Sequence, residues 1–145
     1  MKRQKTIMRA VASARHAWNN HVRQITLEEG IPDSYRPVLL HLYHEPGKSQ
    51  KNLAEFAKVT TSAINQTVKN MLEEGYIRKE TDTSDRRNTR LYLTEKGEEA
   101  SARLRARLDM SDDAITAFIG EEEEKGLMKI LDSLSEFIRR ELGQC

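Results

Sequence analysis

Residues 49–97 read SQKNLAEFAKVTTSAINQTVKNMLEEGYIRKETDTSDRRNTRLYLTEKG, and this stretch decides the fold. It parses as a short helix, a tight turn, a second helix and a hairpin. Ser49 is a helix N-cap, its hydroxyl able to accept from a backbone N–H that lacks an intrahelical partner, and the helix runs through Leu53, Ala54 and Phe56. Thr60 or Thr61 opens the second helix, with Ala63, Ile64, Val68, Met71 and Leu72 spaced as one apolar face. Gly75 stands where such a helix needs a left-handed residue to end. The opposite face holds Thr61, Ser62, Asn65, Gln66 and Lys69. A merely solvated face favours Glu and Lys, whereas hydroxyls, amides and a single lysine suit hydrogen bonds to base edges and phosphates in a major groove.

Residues 76–81 and 89–93 read as the two strands of a hairpin, with Leu91 and Leu93 alternating against Arg90 and Tyr92. Between them lies a turn-rich tip, Asp82 to Asn88, carrying Arg86 and Arg87. Arginine at the end of a narrow ribbon suits a minor groove, where the negative potential is strongest. Asp85 is expected to pair with Arg87 and hold the tip in shape. Thr94 caps the helix that follows. A helix-turn-helix with a β-wing is therefore the expected centre of the chain.

The run Asp82, Asp85, Arg86, Arg87, then Leu91, Leu93, Thr94 and Gly97, resembles the wing motif of the MarR (multiple antibiotic resistance regulator) family. The helix-turn-helix precedes it at the expected distance and long helices flank it, so the resemblance covers essentially the whole chain. It implies a mainly α fold with a small β-wing: a single domain over 1–145, a winged helix-turn-helix region at 34–97, and dimerisation helices at 1–30 and 98–145. It also implies a homodimer interlocked through those N- and C-terminal helices about a two-fold axis. Lys58 departs from the pattern, since the turn of such motifs often carries glycine. A positive φ there would be strained for a side chain with a Cβ.

With 145 residues and no internal repeat, one domain is the natural count. Charged residues reach 32%, leaving little apolar surface with which a monomer could cover several long helices. No apolar run approaches the roughly 20 residues that cross a bilayer, and no signal-peptide core follows the basic start, so the expected setting is soluble and cytoplasmic. Net charge is +1, yet Lys48, Lys51, Lys58, Lys69, Arg78, Lys79, Arg86, Arg87 and Arg90 are concentrated in the central module. Distribution, rather than the sum, makes the footprint. Cys145 is the sole cysteine, which excludes an internal disulfide and a cysteine-built metal cage.

Outside the module, residues 6–29 carry Ile7, Val11, Ala14, Trp18, Val22 and Ile25 at spacings of three and four, a stripe that must be buried against something. At roughly 1.5 Å per residue such a helix is about 36 Å long, more than one small winged module covers. A second helix over 34–44 tolerates Pro37 in its first turn and offers Val38, Leu39, Leu42 and Tyr43 as its core face. Residues 94–119 form a long helix that Gly120 breaks. The last helix opens on Glu121 to Glu124, where negative charge favours the N-terminus, and runs on through Leu127, Ile130, Leu131, Leu134, Phe137 and Ile138.

The residues expected to meet double-stranded DNA are Ser49, Gln50, Lys51, Thr60, Thr61, Ser62, Asn65, Gln66, Lys69, Arg86, Arg87 and Asn88. Those at the start of the first short helix would meet phosphate through backbone N–H groups. By resemblance, Arg87 enters the minor groove and Arg86 meets a phosphate. Relatives bind phenolic and other aromatic acids in a cleft, so a small aromatic or phenolic effector is expected, with Trp18, Tyr35 and His41 as its contacts; plain core packing is the competing account. His41 and His44 are close enough on a helix to share a metal, but without a carboxylate or thiol cluster the expectation is no metal and no cofactor, and His16 and His21 add no such cluster. The family's thiol-based oxidant sensors carry a cysteine in the first helix, and none stands there.

No Gly-rich phosphate loop, HExxH, nucleophile elbow or spaced acid pair is present, so the chain is not read as an enzyme. The function expected is that of a transcriptional regulator, a ligand-responsive repressor that binds a pseudo-palindromic operator. The alternatives left open are a winged helix used only for protein–protein interaction and a metal-responsive regulator using His41 and His44.

Overall fold

The computed structural model describes residues 6–85 and 88–143. The elements run α1 (Ile7–Glu28), a 3-10 turn (Asp33–Tyr35), α2 (Arg36–His44), α3 (Gln50–Ala57), α4 (Thr61–Glu73), β1 (Ile77–Thr81), β2 (Thr89–Leu93), α5 (Glu95–Ile119), α6 (Glu121–Phe137) and a last π-helical turn (Ile138–Leu142). The chain divides into two compact units, residues 1–107 and 108–145.

In the first unit, the core is built where α2, α3 and α4 meet the hairpin. Val38, Leu39 and Leu42 from α2, Leu53 and Ala54 from α3, Ile64, Val68 and Met71 from α4, and Ile77, Leu91 and Leu93 from the strands are all buried. The expected apolar faces account for most of this set. Tyr43 does not join it: at 43% exposed it lies past the edge of the α2 stripe, one residue beyond the buried Leu42. Ala63 is likewise exposed, on the polar side of α4, and Leu72 is half-buried. The segment expected as a helix over 34–44 begins instead as the 3-10 turn, whose C-terminal residue, Tyr35, is 3% exposed.

The caps fall where the hydroxyls stand. Thr6 Oγ1 accepts from Arg9 N at 3.3 Å, Thr60 Oγ1 from Ala63 N at 3.1 Å, and Thr94 Oγ1 from Gly97 N at 3.2 Å. Ser49 goes further: its Oγ accepts from Asn52 N, and Asn52 Oδ1 accepts in turn from Ser49 N, so two otherwise unpaired donors are satisfied reciprocally. Two buried hydroxyls are also satisfied. Thr26 Oγ1 donates to Val22 O at 2.7 Å, and Ser101 Oγ lies 2.8 Å from Gly97 O and 3.2 Å from Leu39 O.

The turn between α3 and α4 is made by Lys58 in the left-handed conformation, φ 54° and ψ 44°. For a residue with a Cβ that conformation costs about 1–2 kcal/mol. Glycine removes the cost while adding freedom to the unfolded chain, so Lys58→Gly is expected to stabilise the protein by a net of about 0.5–1 kcal/mol. Denaturant midpoints measure it, and a lower midpoint for Lys58→Gly would mean the lysine side chain contributes more than its backbone costs.

The strands pair antiparallel, with Ile77 opposite Leu93 and Thr81 opposite Thr89. A further backbone pair, unforeseen in the sequence, joins the segment ahead of α3 to the wing: Gly47 N donates to Leu91 O at 2.9 Å and Leu91 N to Lys48 O at 3.0 Å. The start of α3 is thereby fixed against the root of the hairpin. At the other end of this unit, Glu28 and Glu29 at the close of α1 meet arginines of α5. Arg107 contacts Glu28 at 2.5 Å and Glu29 at 3.3 Å, and Arg103 contacts Glu29 at 3.2 Å.

Only the C-terminal half of α1 is covered. Val22, Ile25 and Thr26 are buried, whereas Ile7 is 72% exposed. In the second unit the contrast is stronger, since α6 has no buried residue although Leu127, Met128, Ile130 and Phe137 are large and apolar. Phe118, near the end of α5, is 91% exposed. Among the described residues no helix is long and apolar enough to cross a membrane.

Candidate nucleic-acid interface

Helix α4 presents Thr61, Ser62, Asn65, Gln66 and Lys69 together as an exposed face, because the three positions that complete its heptad-like spacing, Ile64, Val68 and Met71, are locked into the core. Thr60 does not share that role equally: its hydroxyl is engaged as the N-cap. Gln66 Nε2 donates to Asn70 Oδ1 at 2.9 Å, which ties the two amides together along the helix. Asn70 was absent from the expected set; its position four residues after Gln66 is the signal that finds it.

Ser49, Gln50 and Lys51 come together with Asn88, and the backbone pairing at Gly47 and Lys48 is the reason. These four line a cleft of about 370 Å³ with Lys79 and Thr89, between the start of α3 and the wing root. Lys79 was legible only as part of the general basic footprint, and Thr89 not at all, since neither is near α3 in sequence. Lys51, Lys58, Lys69 and Lys79 have no ion-pair partner among the described residues. Lys48 pairs with Glu45 at 2.7 Å, Arg78 pairs with Glu80, and Arg90 lies 3.6 Å from Asp82. The basic groups are thus sorted into those that shape the module and those available to an anion.

Arg86 and Arg87 lie outside the described residues, as does the expected Asp85–Arg87 pair. What holds the described flanks of the tip is Asp82. Its Oδ1 accepts from Ser84 N at 3.0 Å and from Ser84 Oγ at 2.7 Å, and these bonds, with Arg90 nearby, keep its carboxyl below the usual aspartate range. Asp82 N donates to Asn88 O and Asn88 N to Asp85 O, closing the loop across its neck.

The three residues expected around an effector have different neighbours. Trp18 sits against His21 with ring centroids 5.8 Å apart, His41 stacks on Phe56 at 4.0 Å, and Tyr35 is buried with its hydroxyl on Glu74. His44 is met by Arg105, whose guanidinium faces its Nε2. Among the described residues no group of three or more His, Cys, Asp or Glu is placed to hold a metal ion.

A family model described as MarR family matches residues 29–88. A relative from Thauera aromatica, named a putative transcriptional regulatory protein for the hcr operon, is 30% identical over 118 residues, covering 81% of this chain and 71% of the relative. The crystal structure of MarR superposes with a TM-score of 0.74 at 25% identity, over 100% of this chain and 99% of that one. The repressor CouR, solved bound to a 23-mer DNA duplex, has the same fold at 21% identity, with a TM-score of 0.75 over 90% of this chain and 92% of its own.

Proposed function

Because the chain belongs to the MarR family of transcriptional regulators, we propose that it is a sequence-specific, ligand-responsive repressor that binds a pseudo-palindromic operator as a homodimer. The observation that carries this reading is the exposed, sparsely charged face of α4, together with an α3–wing cleft whose Lys51 and Lys79 have no ion-pair partner among the described residues. Asn65 and Gln66 read base edges in the major groove, Thr61, Ser62 and Lys69 meet base or phosphate, and Ser49, Gln50, Lys51 and Asn88 meet the backbone across the cleft. Arg87 enters the flanking minor groove and Arg86 holds a phosphate. Residues 1–30 and 98–145 form the dimerisation helices of a single domain, with 34–97 as the DNA-reading module. Two reading helices on one face of the duplex place half-sites about one turn, roughly 10 bp, apart.

The effector is a small aromatic or phenolic acid, acting by favouring a spacing of the reading helices that does not fit the operator. A preference of a few kcal/mol for that spacing is enough. Trp18 and His41, both half-exposed, are the better contacts for it, because Tyr35 is buried and its hydroxyl is already engaged.

Selection of a preferred site from random duplexes tests the reading, followed by substitution at the wing. Arg87→Ala is expected to weaken binding to the selected site by about 1–3 kcal/mol without changing the protein's unfolding midpoint. Failure to enrich any sequence would overturn the regulator reading. Unchanged affinity of Arg87→Ala on an enriched site would remove only the wing from it.

A further inference from the structure

The C-terminal end of α4 is a junction of three elements. Glu74, which closes the helix, is reached from the α1–α2 connection by Tyr35, whose hydroxyl donates to its Oε1 at 2.9 Å. Its backbone carbonyl is reached from the start of α5 by Lys96 Nζ at 2.8 Å. The same ammonium stands 4.2 Å from the Tyr76 ring centroid, and the Tyr76 ring meets Tyr35 edge-on at 5.6 Å. Glu74 is exposed, so the bond is not there to satisfy a stranded carboxylate. The buried partner is the phenol. Burial, and then Glu74 itself, push its pKa up to about 12, so the hydroxyl remains a donor throughout the neutral range.

A phenylalanine would fill the same space, which singles out the hydroxyl for explanation. Helix α4 rests on a narrow line of three buried side chains, Ile64, Val68 and Met71, and a helix held along one line retains freedom to roll about it. Tyr35–Glu74 is a directional tether at one end of that line. Its anchor belongs to the segment that continues α1, whose last residues, Glu28 and Glu29, are themselves fastened to α5 by Arg103 and Arg107.

We propose that the Tyr35–Glu74 hydrogen bond is a positioning contact that sets the roll of the α4 polar face, and so governs discrimination among DNA sequences, by tying that helix to the end of α1. The proposal rests on the regulator reading for its consequence, but the coupling itself has a readout in the free protein. Tyr35→Phe is expected to move backbone amide resonances along α4 as far back as Asn65, and shifts confined to residues beside the ring would overturn it. On DNA, Tyr35→Phe and Glu74→Ala are each expected to lose about tenfold in affinity for the selected operator, the scale of one hydrogen bond to a charged group, with little change on a scrambled duplex at the same salt. The double variant should be no worse than either alone. Glu74→Gln, whose amide oxygen still accepts, should keep the ratio. A fall in thermal stability with an unchanged operator-to-scrambled ratio, or additive losses in the double variant, would reduce Tyr35 to a packing residue. A wild-type protein that fails to distinguish the two duplexes would instead count against the regulator reading, leaving the resonance shifts to decide the coupling.

Discussion

Gly97→Ala is expected to destabilise the protein by roughly 3 kcal/mol, at the upper end of what overpacking does in a well-filled interior. Gly97 lies in the first turns of α5 and is buried, and a Cβ built on it would overlap the Tyr76 carbonyl oxygen and stand 3.1 Å from Leu93 Cδ2. Neither neighbour is free to retreat. The Tyr76 carbonyl accepts from Thr94 N at 3.0 Å, and Leu93 is part of the core beneath the wing. Thr94 is tied in as well, through its hydroxyl to Gly75 O and from Gly97 N. One methyl group therefore strikes the joint where α4 hands over to β1, where β2 hands over to α5, and where two caps share a hydroxyl. At about 2–4 °C per kcal/mol for a chain of this size, the melting temperature should fall by on the order of 10 °C. Gly126→Ala is the control: it sits in α6 with nothing within 4 Å of the added carbon, and helix propensity alone should make it neutral or stabilising by up to about 1 kcal/mol. Equal melting temperatures for Gly97→Ala and wild type would mean that this junction yields without cost.

The sequence spoke clearly wherever one residue type answers one local demand. Hydroxyls at Ser49, at Thr60 or Thr61, and at Thr94 were legible as caps because an unpaired helix N–H has few other partners nearby, whereas Thr6 was read as part of its helix and caps it instead; the α4 stripe was legible because Ile64, Val68 and Met71 repeat at the helical period. Periodicity marks the direction of a face but not its width, and this is why Tyr43 and Ala63, at the edges of their stripes, were placed in the core and lie outside it. What stayed hidden depends on contacts distant in the chain. Nothing near Tyr35 announces Glu74, thirty-nine residues later. The same holds for Arg107 with Glu28, and for Lys79 beside Ser49, which the backbone pairing at Gly47 and Lys48 brings about. The residues proposed to face DNA were therefore readable as a list of residue types, while the long-range contacts around them were not.

Ending the chain at Ile119 is expected to convert a dimer into a monomer and to lower affinity for a two-half-site operator by at least about 100-fold, the scale set by losing the second, tethered binding event. Every residue of α6 has access to solvent in the single chain, and its Leu127, Met128, Ile130 and Phe137 would constitute a costly exposed surface if nothing covered them. The first half of α1, where Ile7 is 72% exposed, poses the same difficulty, so both terminal segments leave apolar surface uncovered in the single chain. The core of the first unit, from Val22 to Leu104, contains no residue of α6, and the shortened chain should keep that unit's helical circular dichroism. It should also keep weak, salt-sensitive binding to any duplex, because the lysines around the α3–wing cleft remain. Light scattering coupled to gel filtration measures the oligomeric state, and titration of one-half-site against two-half-site duplexes separates loss of tethering from damage to the reading surface. Where truncation costs folding, Ile130→Glu in the full-length chain supplies the same test by placing charge on the exposed apolar face of α6. A shortened chain that remains dimeric, or that binds the two-half-site duplex as tightly as the whole, would assign dimerisation to another surface.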